Sequence, residues 1–481
     1  MKEADAGREA KVGQGMQWFF GVILVSIATV AAGSPCGAGS SVDLTGNWEG
    51  VLTVDGNGLP LVLHLTEEQG RLRAALDSPA QGAFGLKVTE AEVEDGGFSF
   101  RVPSVGGSFR GELRAGLRAG PAEIRGTWRQ GALAHPLTFR RLKATAGASG
   151  QRPQEPHPPS SYRAERLTFD SAAQGITLAG TLTTPAATGP HPALVLVSGS
   201  GPQDRDSTLF GHKPFLVIAD HFTRRGYAVL RFDDRGVGGS SGSFEAATTY
   251  DFAQDVIGAT RALQAHPRID GRSITLLGHS EGGVTAILAA NRGAVARRLV
   301  LVSAPALPYS EFVIDQVRAQ SVLAGDPSQT TRQKVKAQRR IVDAALAAGA
   351  APADIMAAVE VELTRLGVPP AQARRQATPF GSPGMAKFLR LDPRQELEAV
   401  TLPVLALWGE LDSQVDAARN AAALRAALGE KPHQTVILDG LNHLMQPAAT
   451  GAVQEYHAIE TTFSTVALSR IETWLAGQDR R

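Results

Sequence analysis

A single cysteine, Cys36, occurs in the 481 residues. An intramolecular disulfide is therefore excluded, as is any metal site built on paired cysteines. Charge of one sign is lacking too. Lys plus Arg total 48 against 47 Asp plus Glu, a formal net charge of +1. That balance gives no electrostatic reason to expect nucleic acid or an anionic membrane as partner. The chain has no His-Glu-x-x-His and no Cys/His ligand cluster, and Gly236-Val237-Gly238-Gly239 lacks the spacing of a dinucleotide fingerprint. No metal and no organic cofactor is expected.

An apolar run long enough to span a membrane is also missing. Trp18–Gly33 (WFFGVILVSIATVAAG) carries no charge, but its roughly sixteen residues fall short of the ~20 a helical span needs. It has the length of a signal-peptide core, and small residues follow it. Lys2, Arg8 and Lys11 precede it, interspersed with Glu3, Asp5 and Glu9, and Met16 is an alternative start to Met1. Residues 1–40 read as signal peptide and leader. The mature protein is expected to be exported, periplasmic or secreted, with no integral span. An uncleaved anchor is one alternative and a lipoprotein at Cys36 another, the latter disfavoured by Pro35.

What is present divides into two rhythms, and the length calls for two or three domains. Residues 41–143 alternate over short runs, as in Leu59–Leu65, Arg71–Asp77, Phe98–Pro103 and Ser108–Arg114, with Gly-rich breaks between. This pattern predicts a small antiparallel β domain, a sandwich or barrel. Trp48 and Trp128 sit in similar settings and read as core plugs rather than a ligand platform. Residues 144–162, rich in Pro, Ser, Gly and Ala, read as a linker.

From residue 163 to 481 near-continuous apolar runs appear: Ala193–Ser198, Tyr227–Phe232, Ser273–Gly278, Arg298–Ala304, Pro403–Gly409 and Gln434–Gly440. Strands this apolar are buried on both faces and form a parallel sheet. Helical patterns over 215–225, 250–265, 282–291, 417–428 and 463–476 alternate with them. The fold class is α/β, a doubly wound, mostly parallel sheet. About residues 306–400 interrupt the alternation with helical runs alone and read as a cap.

Gly278-His279-Ser280-Glu281-Gly282 is a G-x-S-x-G pentapeptide, weak by itself. Here it follows a strand and opens a helix, the setting of a nucleophile elbow, where Gly278 and Gly282 keep the turn tight and Ser280 projects above the sheet. A serine hydroxyl needs a base. His443 follows the last strand; His433 precedes that strand, and His457 has no strand to place it. Asp412, after the preceding strand, is the candidate acid that would orient His443, with Glu410 and Asp416 as alternatives. The loop Ser198-Gly199-Ser200-Gly201 stands where an oxyanion hole draws its second donor, so the backbone N–H groups of Ser200 and Glu281 are the candidates. Asp204, Arg205 and Asp206, and likewise Asp233, Asp234 and Arg235, read as loop-bracing pairs.

These residues carry a resemblance. Ser198–Asp206 (SGSGPQDRD), Gly211–Phe215 (GHKPF), Arg231–Ser240 (RFDDRGVGGS), Gly278–Gly283 (GHSEGG), the GELD around Glu410 and Leu441–His443 (LNH) resemble the α/β-hydrolase superfamily. The similarity is to its exported bacterial esterases and serine aminopeptidase-like group with an extra N-terminal β domain. Leu76–Gly85 and Gly126–Gly131 resemble that β domain. The match covers about two-thirds of the chain. It implies an α/β-hydrolase fold with a helical cap and hydrolysis of small-molecule, short-chain acyl esters through an acyl-enzyme on Ser280. Many relatives have His-Gly where this chain has Ser198-Gly199, but the donors there are backbone amides. The alternative is a peptidase on the same triad, with Glu360 or Glu362 of the cap holding a substrate amine. The sequence leaves oligomeric state open.

Overall fold

The computed structural model describes residues 44–479 except 55–56, 69–70, 79–82, 95, 116–120, 131–132, 142–151, 158–160, 245 and 350. Trp18–Gly33, Cys36 and the expected leader lie outside the described residues, as does much of the expected linker. Among the described residues no helix is long and apolar enough to cross a membrane. The chain divides into two compact units, the second beginning at Arg152.

The first unit is a nine-stranded antiparallel sheet: β1 (Gly46–Val54), β2 (Asn57–Glu68), β3 (Arg71–Ser78), β4 (Ala83–Lys87), β5 (Thr89–Glu94), β6 (Gly97–Val102), β7 (Gly107–Ala115), β8 (Pro121–Gln130) and β9 (Leu133–Arg141). The spatial order is β4-β3-β2-β1-β9-β8-β7-β6-β5. Consecutive strands pair except β4 with β5, the first pairs with the last, and β4 and β5 are left as the edges of the described sheet. The result is a barrel opened along one seam. Period-two alternation supplies the interior: in β6, Phe98, Phe100 and Val102 are buried while their neighbours are not. Trp48 and Trp128 are both buried in this core, and Trp48 Nε1 donates to the Leu44 carbonyl at 2.9 Å.

The second unit is an eight-stranded sheet: β10 (Tyr162–Asp170), β11 (Thr177–Pro185), β12 (His191–Val197), β13 (Ala228–Phe232), β14 (Ile269–His279), β15 (Arg298–Val302), β16 (Val404–Gly409) and β17 (His433–Leu438), ordered β10-β11-β13-β12-β14-β15-β16-β17. β10 and β11 are antiparallel, and the strands from β13 to β17 run parallel. Alternate residues serve opposite cores. Val195 and Val197 face one side with Leu276 and Leu301, and Leu194 and Leu196 face the other with Leu277 and Val300. Helices α1 (Pro214–Thr223), α2 (Thr249–Ala265) and α3 (Glu281–Asn291) connect the strands, and the insertion after β15 is six helices, α4 (Tyr309–Leu323) to α9 (Pro393–Ala399). The insertion leaves from the carboxyl end of β15. Its start closes on the segment near its end: the Tyr309 ring lies tilted against Phe388 at 4.4 Å, and Tyr309 N–H donates to the Leu391 carbonyl. Helices α10 (Ala417–Leu428) and α11 (Thr465–Asp479) complete the unit.

Two features depart from the expected layout. β10 and β11 fall, but for Tyr162, within the expected α/β domain of 163–481, yet neither is among its expected apolar runs. β10 is an edge strand with only Phe169 buried, so it carries no apolar run. The end of the expected linker is docked rather than free. Arg152 is 6% exposed and donates to four main-chain carbonyls: Ile459 (2.7 Å), His457 (3.0 Å), Phe210 (3.2 Å) and Gly211 (3.4 Å). Gln154 accepts from Thr462 and Phe463 N–H, and Glu155 pairs with Lys213. Arg152→Ala would strand several buried carbonyls, at about 1–3 kcal/mol for each group left unsatisfied. The expected loss is roughly 2–4 kcal/mol, read as a lowered midpoint in urea; an unchanged midpoint would mean that water replaces the guanidinium.

Candidate active site

β14 ends at His279 and α3 begins at Glu281, which leaves Ser280 alone to turn the chain. Its φ of 55° and ψ of −126° lie where non-glycine residues are strained. The surroundings enforce it. Ser280 N–H donates to the Val302 carbonyl at 2.8 Å, and Gly283 N–H returns to the Ser280 carbonyl at 2.9 Å. A Cβ on Gly278 would overlap the Gly282 carbonyl, and one on Gly282 would overlap the carbonyls of Val197 and Ser198. The elbow is thus wedged against the end of β12. Glu281, as first residue of α3, has an N–H with no acceptor inside the helix.

The Ser198–Gly201 loop meets the elbow directly: a Cβ on Gly199 would stand 3.2 Å from Ser280 Cβ. Behind this loop lies a web of ion pairs. Asp233 accepts from Arg205 N–H (2.8 Å), Nε (3.0 Å) and Nη2 (2.6 Å). Arg231 pairs with Asp206, and Arg235 holds Asp255 in a buried fork at 2.8 and 2.7 Å. Asp204 caps its own turn through Thr208. All of these act as braces.

Asp412 and His443 come together from the loops after β16 and β17. Asp412 Oδ2 accepts from His443 Nδ1 at 2.8 Å, and Oδ1 accepts the N–H groups of Gln414 (2.9 Å) and Val415 (2.8 Å). The Asp412 side chain is fully buried and that of His443 is 5% exposed. A carboxylate here fixes Nδ1–H as the histidine tautomer and leaves Nε2 as the basic nitrogen. The rival residues are employed elsewhere. Glu410 accepts from Gly440 N–H, and Asp416 caps α10 through Arg419 N–H. His433 opens β17 at the opposite end of the sheet, and His457 sits in a surface turn, Val453–Ala458.

Three further residues contribute, and their roles leave little mark in the sequence. The His443 carbonyl accepts from Ser303 Oγ (2.9 Å) and His279 Nε2 (3.0 Å), so the residue before Ser280 clamps the loop that carries His443. Their rings lie 4.9 Å apart. Asn442 is fully buried and shapes that loop, its Oδ1 accepting from Leu444 and Gln446 N–H. Such bonds to main-chain carbonyls and amides depend on tertiary proximity and leave no spacing to read. Only the LNH string hinted at Asn442.

The parallel sheet, the elbow after its central strand and the helical insertion before β16 are the layout of the α/β-hydrolase fold. Residues 213–348 match the family described as "Serine aminopeptidase, S33". Esterase EstD of Thermotoga maritima is 28% identical over 293 residues, 60% of this chain and 61% of that protein. The chain thus spans less than two-thirds of the length of this curated relative. Similar solved structures include a thermophilic esterase of Thermogutta terrifontis (21% identity, 65% of this chain and 98% of that one, TM-score 0.38). Proline iminopeptidase of Mycobacterium smegmatis is another (18%, 65% and 100%, TM-score 0.40). The chain has the α/β-hydrolase fold and is similar to esterases and serine aminopeptidase-like proteins, with an N-terminal β domain added.

Burial holds the His279 imidazole down to about 4, with His443 beside it adding to the effect. Burial also lowers His212 to about 4 where it bridges Thr462 and the Tyr456 carbonyl. Both stay neutral in the folded protein while the unfolded chain takes up protons near the ordinary value of 6.5. Their contribution is complete above about pH 6.5 and is lost as pH falls toward 4, by up to roughly 3 kcal/mol each. From about pH 7 to about pH 4.5 the denaturant midpoint of wild type should therefore lose ground relative to that of His212→Gln, in which this contribution is gone. An unchanged difference between the two would show that His212 already titrates normally.

Proposed function

We propose that the protein hydrolyses carboxylic esters through an acyl-enzyme on Ser280. The observation that carries this reading is the buried Asp412–His443 pair at 2.8 Å, tied by the His443 carbonyl to His279 of the strained elbow. In this reading Ser280 Oγ attacks the carbonyl carbon while His443 Nε2 takes its proton. Asp412 orients the ring and stabilises the imidazolium. The N–H groups of Glu281 and Ser200 receive the developing oxyanion. His443 then protonates the leaving alkoxide, and water attacks the acyl-enzyme by the same route.

Small-molecule esters with short acyl chains are the proposed substrates, on the strength of the sequence resemblance; the relative from Thermotoga maritima bears the name esterase. A peptidase of this build needs a carboxylate for the substrate amine. Glu362 is held by Arg340 at 2.6 Å, and Glu360 by Arg374 at 3.2 Å. Neither is left unengaged. Export also belongs to this proposal, with Trp18–Gly33 as the signal-peptide core.

Ser280→Ala should lower turnover of p-nitrophenyl esters by about 10⁴–10⁶, and Asp412→Asn by about 10⁴. Wild-type turnover should be greatest on short acyl chains. Dominant, Ser280-dependent cleavage of aminoacyl-p-nitroanilides would replace the esterase by a peptidase, and full activity in Ser280→Ala would reject the nucleophile.

A further inference from the structure

The loop from Ser198 to Arg205 carries the Ser200 N–H that the proposed mechanism uses, so what fixes this loop bears on the reaction. Packing alone does not fix it. A small cavity of about 20 Å³ lies behind Ser198 and Gly199, bounded also by Asp234, Asp255, Glu281 and Thr285. That is about the room one water needs. Side chains hold it instead: Asp233 grips Arg205 at its end, Gln203 Nε2 donates to the Ser200 carbonyl at 3.4 Å, and Asp234 anchors the stretch between Ser198 and Gln203. Asp234 Oδ1 accepts the Ser198 hydroxyl at 2.5 Å, and Oδ2 accepts Gln203 N–H at 2.9 Å. The Asp234 N–H donates back to the Gln203 carbonyl at 3.1 Å. One buried carboxylate therefore ties both ends of the segment that includes Gly199, Ser200 and Gly201. The two glycines give that segment little stiffness of its own.

Asp233, its neighbour, is neutralised by Arg205. The nearest guanidinium on the other side, Arg235, is turned to Asp255. The ionisable groups facing Asp234 are the carboxyls of Asp255 and Glu281, the latter bound by the Thr249 hydroxyl at 2.7 Å. The Asp234 charge is thus stabilised chiefly by the two groups it positions.

We propose that Asp234 is a positioning residue for the oxyanion step: as a carboxylate it sets the Ser200 N–H against Ser280, and on protonation it loosens that loop. The inference rests on the serine-hydrolase reading above. Ionised, its two bonds are charge-assisted; protonated, they become neutral bonds of roughly half the strength. Burial pushes the Asp234 carboxyl up to about 7, with Asp255 and Glu281 adding to the effect, so the change falls near neutral pH.

The test is kcat and KM against pH on one short-chain ester for wild type, Asp234→Asn, Ser198→Ala and Ser280→Ala. Asparagine keeps an acceptor but cannot titrate. Asp234→Asn should lower kcat about 10- to 100-fold, less than the loss of an oxyanion donor outright, with KM changed under about twofold. The acid limb of log kcat should fall more steeply than one group allows in wild type, and with unit slope in the variant. Ser198→Ala leaves the carboxylate in place and removes one anchor. It should lower kcat by about 3- to 10-fold, and it decides the matter if Asp234→Asn does not fold. A wild-type kcat and acid limb in Asp234→Asn, or in Ser198→Ala where it alone folds, would overturn the proposal while Ser280-dependent turnover stands. Turnover that is absent, or independent of Ser280, would overturn the hydrolase reading and this inference with it.

Discussion

The backbone at Ser280 is the constraint around which the second unit is arranged. A serine at φ 55° is unfavourable by itself and persists because its neighbours leave no alternative. Gly278 and Gly282 permit contacts that no side chain would survive, Val302 holds the Ser280 N–H, and the end of β12 blocks the other side. The same closeness brings the 198–201 loop against the serine and lets His279 reach the loop of His443. Strand order, elbow and histidine loop are therefore one mechanical unit.

Burial determines how the site's charges behave. Asp412 is buried but receives the His443 N–H and two backbone donors, so its charge is well matched. Asp234 is buried with two side-chain hydrogen bonds and, among the described residues, no ion pair, and its carboxyl rises accordingly. Below about pH 7 the folded protein holds a proton on Asp234 that the unfolded chain gives up nearer 4. Its contribution to stability therefore falls as pH rises through that window. The form that best anchors the loop is the form that costs stability, a common relation at functional sites.

Much of the second unit was legible because strands buried on both faces write themselves as unbroken apolar runs. β12, β13, β15 and β16 are examples. β10 was not, since an exposed edge strand such as YRAERLTFD has no such run. In the first unit β2, β3, β6 and β7 alternate cleanly. β1 and β8 are broken by glycine, and β9 by Pro136, which hid the closing of the sheet from first strand to last. Ser280, Asp412 and His443 could be picked because each follows a strand in chain order, and the structure sets them on the loops expected. Arg152, Ser303 and the His279 clamp could not. Their partners are main-chain carbonyls far away in sequence, and nothing in a residue's spacing records a carbonyl.

The central claim is that Ser280 is the nucleophile and forms a covalent intermediate. The most direct measurement is mass spectrometry of the protein after treatment with a fluorophosphonate, with the adduct mapped by peptide. The account predicts one adduct per chain, on the peptide containing Ser280, and its loss in Asp412→Asn or His443→Ala on the same timescale. An unmodified protein, or an adduct on another serine while Ser280 stays free, would contradict it.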